Sequence, residues 1–436
     1  MNKQHLLRMF SSAIGWNAFS YTTYKILYTG LLFLLYQRLT TDYFATWSNI
    51  NSIIYILLLW IDFGFSKSIA RFIPEFYCST KDLNRFVSRM ILFKLITLMC
   101  AVPLFFVITP TLCSYLGLLC IHHSFFQLGA LVLVSHGITS TIKLVYHAHF
   151  WQKEFSLLST LLLILETIIN IMLFLYIARP DNLIIGIFIT RIINSFITGI
   201  LAFVFLKKKY RTCGKIQGKK INTNNLYKSF LMHSSFMWFS TSIKSLTERN
   251  IMVPLLTYTL GPLTANIFKV ANDGALLFYR SVAQTIGTAD TALLTHAMVH
   301  HHAQEHVLHT AFKTLVRQVL FLCFIAIAIV CPLLFVINGH THKIRIIPLF
   351  ILLTISYLIE AVLSPYERIL EIKRAYKLLS LAYIPYTITI ALFFYWYDKV
   401  LIGLFGTLVV IHGARLASSV SMVWLSYTIL KKMKKQ

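Results

Sequence analysis

The chain has 436 residues, 57% of them hydrophobic and only 13% charged, with a mean hydropathy of +0.70. Soluble domains carry about 25% charge, so a water-soluble catalytic domain is excluded and a polytopic membrane protein is indicated. Lys plus Arg outnumber the acids 40 to 15, a formal charge of +25, yet the basic residues fall in alternate loops, so nucleic acid is not an expected partner.

In chain order, Lys3 and Arg8 precede a first apolar stretch that lacks a small-residue cleavage site, so it reads as a retained helix rather than a removed signal. About twelve apolar runs follow, near 11–36, 43–65, 88–110, 126–149, 155–177, 183–206, 226–257, 262–287, 313–338, 345–366, 376–397 and 400–430. Each is long enough to cross a bilayer as a helix. The segment 44–74 is the most informative. Its apolar run 50–61 ends in Asp62, turns at Phe63-Gly64-Phe65 and leaves through Lys67 and Arg71. Asn51, Tyr55 and Asp62 share one face of this helix.

Orientation follows from the loops. One side carries Lys3, Arg8, Lys67, Arg71, Lys81, Arg85, Arg89, Lys153, the basic 207–228 run and the C-terminal KKMKK, about 25 cations in all; the other carries about five, among them Arg38 and Arg179. The positive-inside rule therefore puts both termini in the cytoplasm, where anionic membrane lipids add to the anchoring.

The halves repeat. Residues 181–190, DNLIIGIFIT, match 398–407, DKVLIGLFGT, at an offset of 217 (398 minus 181). A weaker match sets Phe44-Ala-Thr-Trp47 near Asn266-Ile-Phe-Lys269, and each half ends in a lysine run. An even number of spans per half keeps the copies parallel. The expected architecture is an all-α integral membrane protein of two six-helix bundles, 1–206 and 229–436, joined by a basic cytoplasmic linker, 207–228, and related by a pseudo-two-fold along the membrane normal.

A charge at mid-bilayer costs about 2.5–3.5 kcal/mol on insertion scales, so such residues face a partner or a wet cavity. The candidates are Lys25, Glu166, Arg191, Lys244, Glu248, Arg249, Lys269, Asp273, Glu360, His412 and Arg415. Tyr21, Lys25 and Tyr28 lie at i, i+4, i+7 on one face of the first span. Lys244 with Glu248, and Lys269 with Asp273, are one turn apart, so a structural ion pair is open beside a cavity role. Lys25, Arg191 and Arg415 have no acid one turn away and suit an anionic ligand such as phosphate. A His-rich stretch, 300–309, is read as a solvated cytoplasmic helix rather than a metal site, and no metal or other cofactor is expected.

Walker A, GxSxG and HExxH motifs are absent. That disfavours an enzyme and leaves three readings: a transporter, a membrane enzyme of envelope polysaccharide assembly, and a scaffold, which would not explain buried cations. The segment LLYQRLTTDYFATWSNINSIIYILLLWIDFGFSKSIARFIPEF, with its Asp62-Phe-Gly64 corner and Arg71-Phe-Ile-Pro-Glu75 exit, resembles the Wzx-type polysaccharide flippases, in the superfamily that also holds the MurJ lipid II flippases and the MATE exporters. TERNIMVPLLTYTLGPLTANIFKVAND is similar to that family's seventh-to-eighth span region. The resemblance implies a V-shaped pair of bundles that moves an undecaprenyl-diphosphate-linked oligosaccharide to the outer leaflet of a bacterial inner membrane. It implies that cavity cations, here Lys25, Arg191, Lys244, Arg249, Lys269 and Arg415, hold the diphosphate or acidic sugars. Asp62, Glu166, Asp273 and Glu360 are the carboxylates available to couple a proton or sodium gradient. Other polysaccharide-assembly proteins are further candidate partners. A MATE-like exporter of small molecules is the alternative; it should need acidic residues for cationic drugs.

Overall fold

In the computed structural model, which describes residues 3–76, 80–118, 123–149, 151–212, 223–245, 249–279, 343–372, 376–396 and 403–433, every regular element is an α-helix. The expected all-helical membrane bundle is the fold observed. Five described helices are long and apolar enough to cross a bilayer: Leu83–Tyr115, Ser124–Ala148, Gln152–Tyr176, Pro180–Tyr210 and Gly406–Ser426. Large apolar side chains on them face outward, such as Leu161, Leu175, Val107 and Val204; this suits lipid and not water. The predicted span 313–338 and the His-rich stretch lie outside the described residues.

The chain divides into two compact units, Met1–Trp238 and Phe239–Gln436. The first contains α1 (Lys3–Arg38), α2 (Thr41–Trp60), α3 (Phe65–Phe76), α4 (Thr80–Tyr115), α5 (His123–Ala148), α6 (Gln152–Tyr176), α7 (Pro180–Thr212) and most of α8 (Thr223–Ser245). Here α5 packs on α7, α4 and α2, while α6 packs on α1 and α7. The second unit contains α9 (Arg249–Leu260), α10 (Pro262–Tyr279), α11 (Lys343–Ile372), α12 (Tyr376–Trp396) and α13 (Leu404–Met433). There α11 packs on α10 and α13, and α12 on α13. Within the predicted span 226–257, α8 and α9 are described and 246–248 lie outside the described residues.

The repeat in the sequence recurs in these packings. In the first unit Thr139 Oγ1 on α5 donates to the Ser195 carbonyl on α7 at 2.7 Å. In the second, Ser356 Oγ on α11 meets His412 Nδ1 on α13 at 2.8 Å. Both members of the contact are displaced by the same 217 residues (356 minus 139, 412 minus 195) that separate the two sequence copies. Asn49 and Asn266, again 217 apart (266 minus 49), are both buried.

The corner after α2 is built by its own residues. Asp62 Oδ2 accepts the Ser66 backbone N–H at 2.9 Å, capping the start of α3. Its Oδ1 pairs with Lys94 Nζ of α4 at 3.1 Å. Phe63 and Gly64 both take positive φ, +48° and +73°, which is strained for phenylalanine and free for glycine. Only glycine fits at 64: a Cβ there would lie 2.1 Å from the Ser234 carbonyl oxygen of α8. The corner then aims α3, whose Phe65, Ile69, Phe72 and Ile73 at i, i+4, i+7, i+8 form one apolar face. That face is buried with Phe86, Tyr146 and Phe230 in a core drawn from α3, α4, α5 and α8.

Candidate functional site

In the first unit, polar residues inside the bundle are first satisfied locally. Asn49, Asn51 and Ser52 of α2 donate to the carbonyls of Ala45, Trp47 and Ser48 at 2.8–2.9 Å, the back-bonding open to short polar side chains in a helix. Asn51 keeps its Oδ1 for Arg191 of α7, which donates to it at 3.1 Å and also to the Tyr55 hydroxyl. Arg191 is thus held by two neutral acceptors and makes no ion pair among the described residues. Glu166 of α6 lies within its electrostatic reach, as do Tyr24 and Tyr28 of α1, and accepts from the Asn194 side chain.

Lys25 is 2% exposed, and its Nζ lies 5.8 Å and 5.7 Å from the ring centres of Tyr24 and Tyr28. Those rings stack on each other at 5.7 Å. Lys143 of α5 adds a cation: its Nζ stands 4.3 Å over the Tyr21 ring, within range of a cation–π attraction. His136, one face along α5, is near both Arg191 and Lys143 and meets Tyr55 edge-on at 5.7 Å. Lys25, Lys143 and Arg191 therefore lie in one unit, and the carboxylate within electrostatic reach of Arg191 is Glu166.

The second unit handles charge differently. Arg415 of α13 forms an ion pair with Glu360 of α11: an Nη2–H donates to Oε1 at 2.9 Å, and Nε lies 2.7 Å from Oε2. Both are under 10% exposed. The Arg415 guanidinium lies 5.3 Å from the Tyr357 ring centre, and the Tyr357 hydroxyl donates to Asn272 Oδ1 at 2.6 Å. Lys269 and Asp273, one turn apart on α10, approach to 3.9 Å with both side chains buried. Beside the Glu360–Arg415 pair lies a small cavity of about 20 Å³, lined also by Glu367, Tyr383, Tyr386 and Ser418; that is room for about one water molecule. Tyr383 donates to Glu367 at 3.1 Å.

Of the residues singled out in the sequence, Lys25, Arg191 and Glu166 gather in the first unit. Lys269, Asp273, Glu360 and Arg415 lie in the second, as two ion pairs. Asp62 stands apart, in the corner with Lys94. The side chains of Lys244 and Arg249, and the whole of Glu248, lie outside the described residues. Sequence reasoning passed over Lys143, Lys94 and Glu367. Lys143 had a signal: His136, Ser140, Lys143 and His147 recur at i, i+4, i+7, i+11, a polar stripe along one face of α5.

No protein-family profile matches the sequence, and no curated protein matches it significantly. Solved structures do match along nearly the whole chain. A point mutant of the Vibrio cholerae MATE transporter VcmN superposes with a TM-score of 0.63 at 13% identity, covering 99% of this chain and 98% of its own. An outward-facing multidrug-resistance MATE transporter of the MOP superfamily gives 0.65 at 14%, covering 97% and 96%. A MOP superfamily transporter from Pyrococcus furiosus, described as having a binding pocket of reverse polarity that suggests a different function, gives 0.57 at 12%, covering 97% and 96%. At these identities the likeness is one of fold, and the fold of this multi-pass membrane protein is that of the MATE transporters of the MOP superfamily.

Proposed function

We propose that the protein is a transporter that moves an undecaprenyl-diphosphate-linked oligosaccharide from the cytoplasmic to the outer leaflet of a bacterial inner membrane, with both termini cytoplasmic. The observation that carries this reading is Arg191, a cation inside the bundle held by the neutral Asn51 and Tyr55, with Lys25 and Lys143 in the same unit. A guanidinium that donates to neutral acceptors, with Glu166 within electrostatic reach but no ion pair among the described residues, keeps charge for a phosphate. Lys25 and Arg191 take the diphosphate, and the lipid tail stays in the bilayer. Lys269 and Arg415 already stand against carboxylates and rank below them; Lys244 and Arg249 belong to the same expectation. The MOP transporter of reverse pocket polarity offers a precedent for a change of cargo within this fold.

No nucleotide-binding motif is present, so a proton or sodium gradient drives the cycle. Glu166 is the favoured coupling carboxylate, because it lies beside Arg191; Asp62, Asp273 and Glu360 each face a lysine or arginine. Neighbouring polysaccharide-assembly proteins would supply and receive the lipid. The alternative, a MATE-like exporter of small cations, draws on the multidrug transporters among the structural neighbours and on the acids of the second unit. One pair of assays separates the two. Lys25→Ala and Arg191→Ala abolish surface polysaccharide display and leave drug accumulation unchanged if the flippase reading holds. Normal display together with raised drug accumulation supports the exporter instead. An enzyme would alter a glycosidic or ester bond when purified, and no such change is expected.

A further inference from the structure

Four aromatic residues of α1, Trp16, Tyr21, Tyr24 and Tyr28, follow one another along the helix with cations beside them, and three of the four cations come from other helices of the same unit. Trp16 is met by Lys153 of α6, with Nζ 5.7 Å from the ring. Tyr21 is met by Lys143 of α5 at 4.3 Å. Tyr24 and Tyr28 flank Lys25 of α1 itself and lie within the electrostatic reach of Arg191 of α7. Lys143 and Lys153 make no ion pair among the described residues. Successive rungs are four or five residues apart, or about 6–8 Å along the helix axis, and the series spans about 18 Å from residue 16 to residue 28.

Exposure is graded along this series. Lys153 is exposed, Tyr21 and Lys143 are half-buried, and Lys25 is buried. Charge therefore becomes progressively less screened from one end to the other. A cation seated on an aromatic face keeps its N–H donors on the far side available for an anion. The rings themselves offer apolar faces of the size of a sugar.

We infer that α1 carries a graded track for the diphosphate headgroup, on which Lys153 with Trp16 captures the anion, Lys143 with Tyr21 holds it next, and Lys25 with Arg191 receives it. This rests on the transporter reading above and adds two binding residues, Lys143 and Lys153, that the reading does not need. Capture by an exposed charge and retention by a half-buried one separate kinetically. A rim charge acts mainly on the association rate, and a desolvated one mainly on dissociation.

The test uses the purified full-length protein in nanodiscs of zwitterionic lipid with farnesyl diphosphate as the probe, its association and dissociation followed by surface plasmon resonance. Lys143→Gln should raise the dissociation rate about tenfold, the size of one charge-assisted hydrogen bond, and Lys143→Arg should restore it. Lys153→Gln should slow association several-fold, the more so at low salt, and leave dissociation unchanged. Thermal unfolding of the Arg and Gln variants, measured alongside, should match the parent. If Lys143→Gln and Lys153→Gln bind like the parent while Arg191→Ala does not, the track is wrong and the diphosphate reading stands. If the parent protein itself fails to bind the probe, the diphosphate reading fails and the track with it.

Discussion

The two units hold their interior arginines in opposite ways. In the second, Arg415 is ion-paired with Glu360 and Lys269 faces Asp273, so these two positive charges are each matched by a negative one. In the first, Arg191 rests on an amide and a phenol, and Lys143 on a ring. The α5–α7 and α11–α13 contacts lie 217 residues apart (356 minus 139), so corresponding helices of the two units carry different side-chain chemistry. A matched pair mainly fixes helices to one another. An arginine held by neutral groups retains attraction for an anion that is not part of the chain.

That contrast breaks most visibly at Glu360. Glu360→Ala strands a buried guanidinium and should lower stability by about 3–5 kcal/mol, whereas the double change with Arg415→Met should recover most of the loss. Thermal unfolding of the purified full-length chain measures both; a single mutant as stable as the parent would deny the second unit its structural role. Next in size is Gly64→Ala, which sets a methyl group against the Ser234 carbonyl and should cost about 2–3 kcal/mol, showing that the first unit draws its rigidity from the α2–α3 corner. Asp62→Asn keeps a capping oxygen for Ser66 but leaves Lys94 without a charged partner, and should cost about 1–2 kcal/mol in the same assay. The smallest change in stability, about 1 kcal/mol, is expected for Arg191→Met, which loses two bonds to neutral groups and yet should show the greatest loss of transport.

Much of the fold was legible because its signals are periodic. Apolar runs of bilayer length state a helical membrane bundle directly, and the 217-residue offset recurs in the α5–α7 and α11–α13 contacts. The Asp62-Phe63-Gly64 corner was legible as a corner, but Asp62 was weighed for ion coupling because its partner, Lys94, lies about nine helical turns further along the chain (residue 94 minus residue 62). The i, i+4 pair Lys269–Asp273 could be read from spacing. The Glu360–Arg415 pair could not, because it joins α11 to α13 across 55 residues, and nothing local announces it. Lys143 was missed for a related reason: its meaning comes from Tyr21, four helices earlier in the chain and close to it only in the folded unit. Spacing shows which residues share a face, and packing decides which faces meet.

The most direct measurement is flipping itself. Full-length protein reconstituted in liposomes with a fluorescent undecaprenyl-diphosphate oligosaccharide reports leaflet exchange through quenching by a membrane-impermeant reductant. Parent protein should exchange the lipid and Arg191→Ala should not, with equal amounts of both inserted in the bilayer. Equal exchange by the two proteins would contradict the claim that the first unit's cations carry the diphosphate.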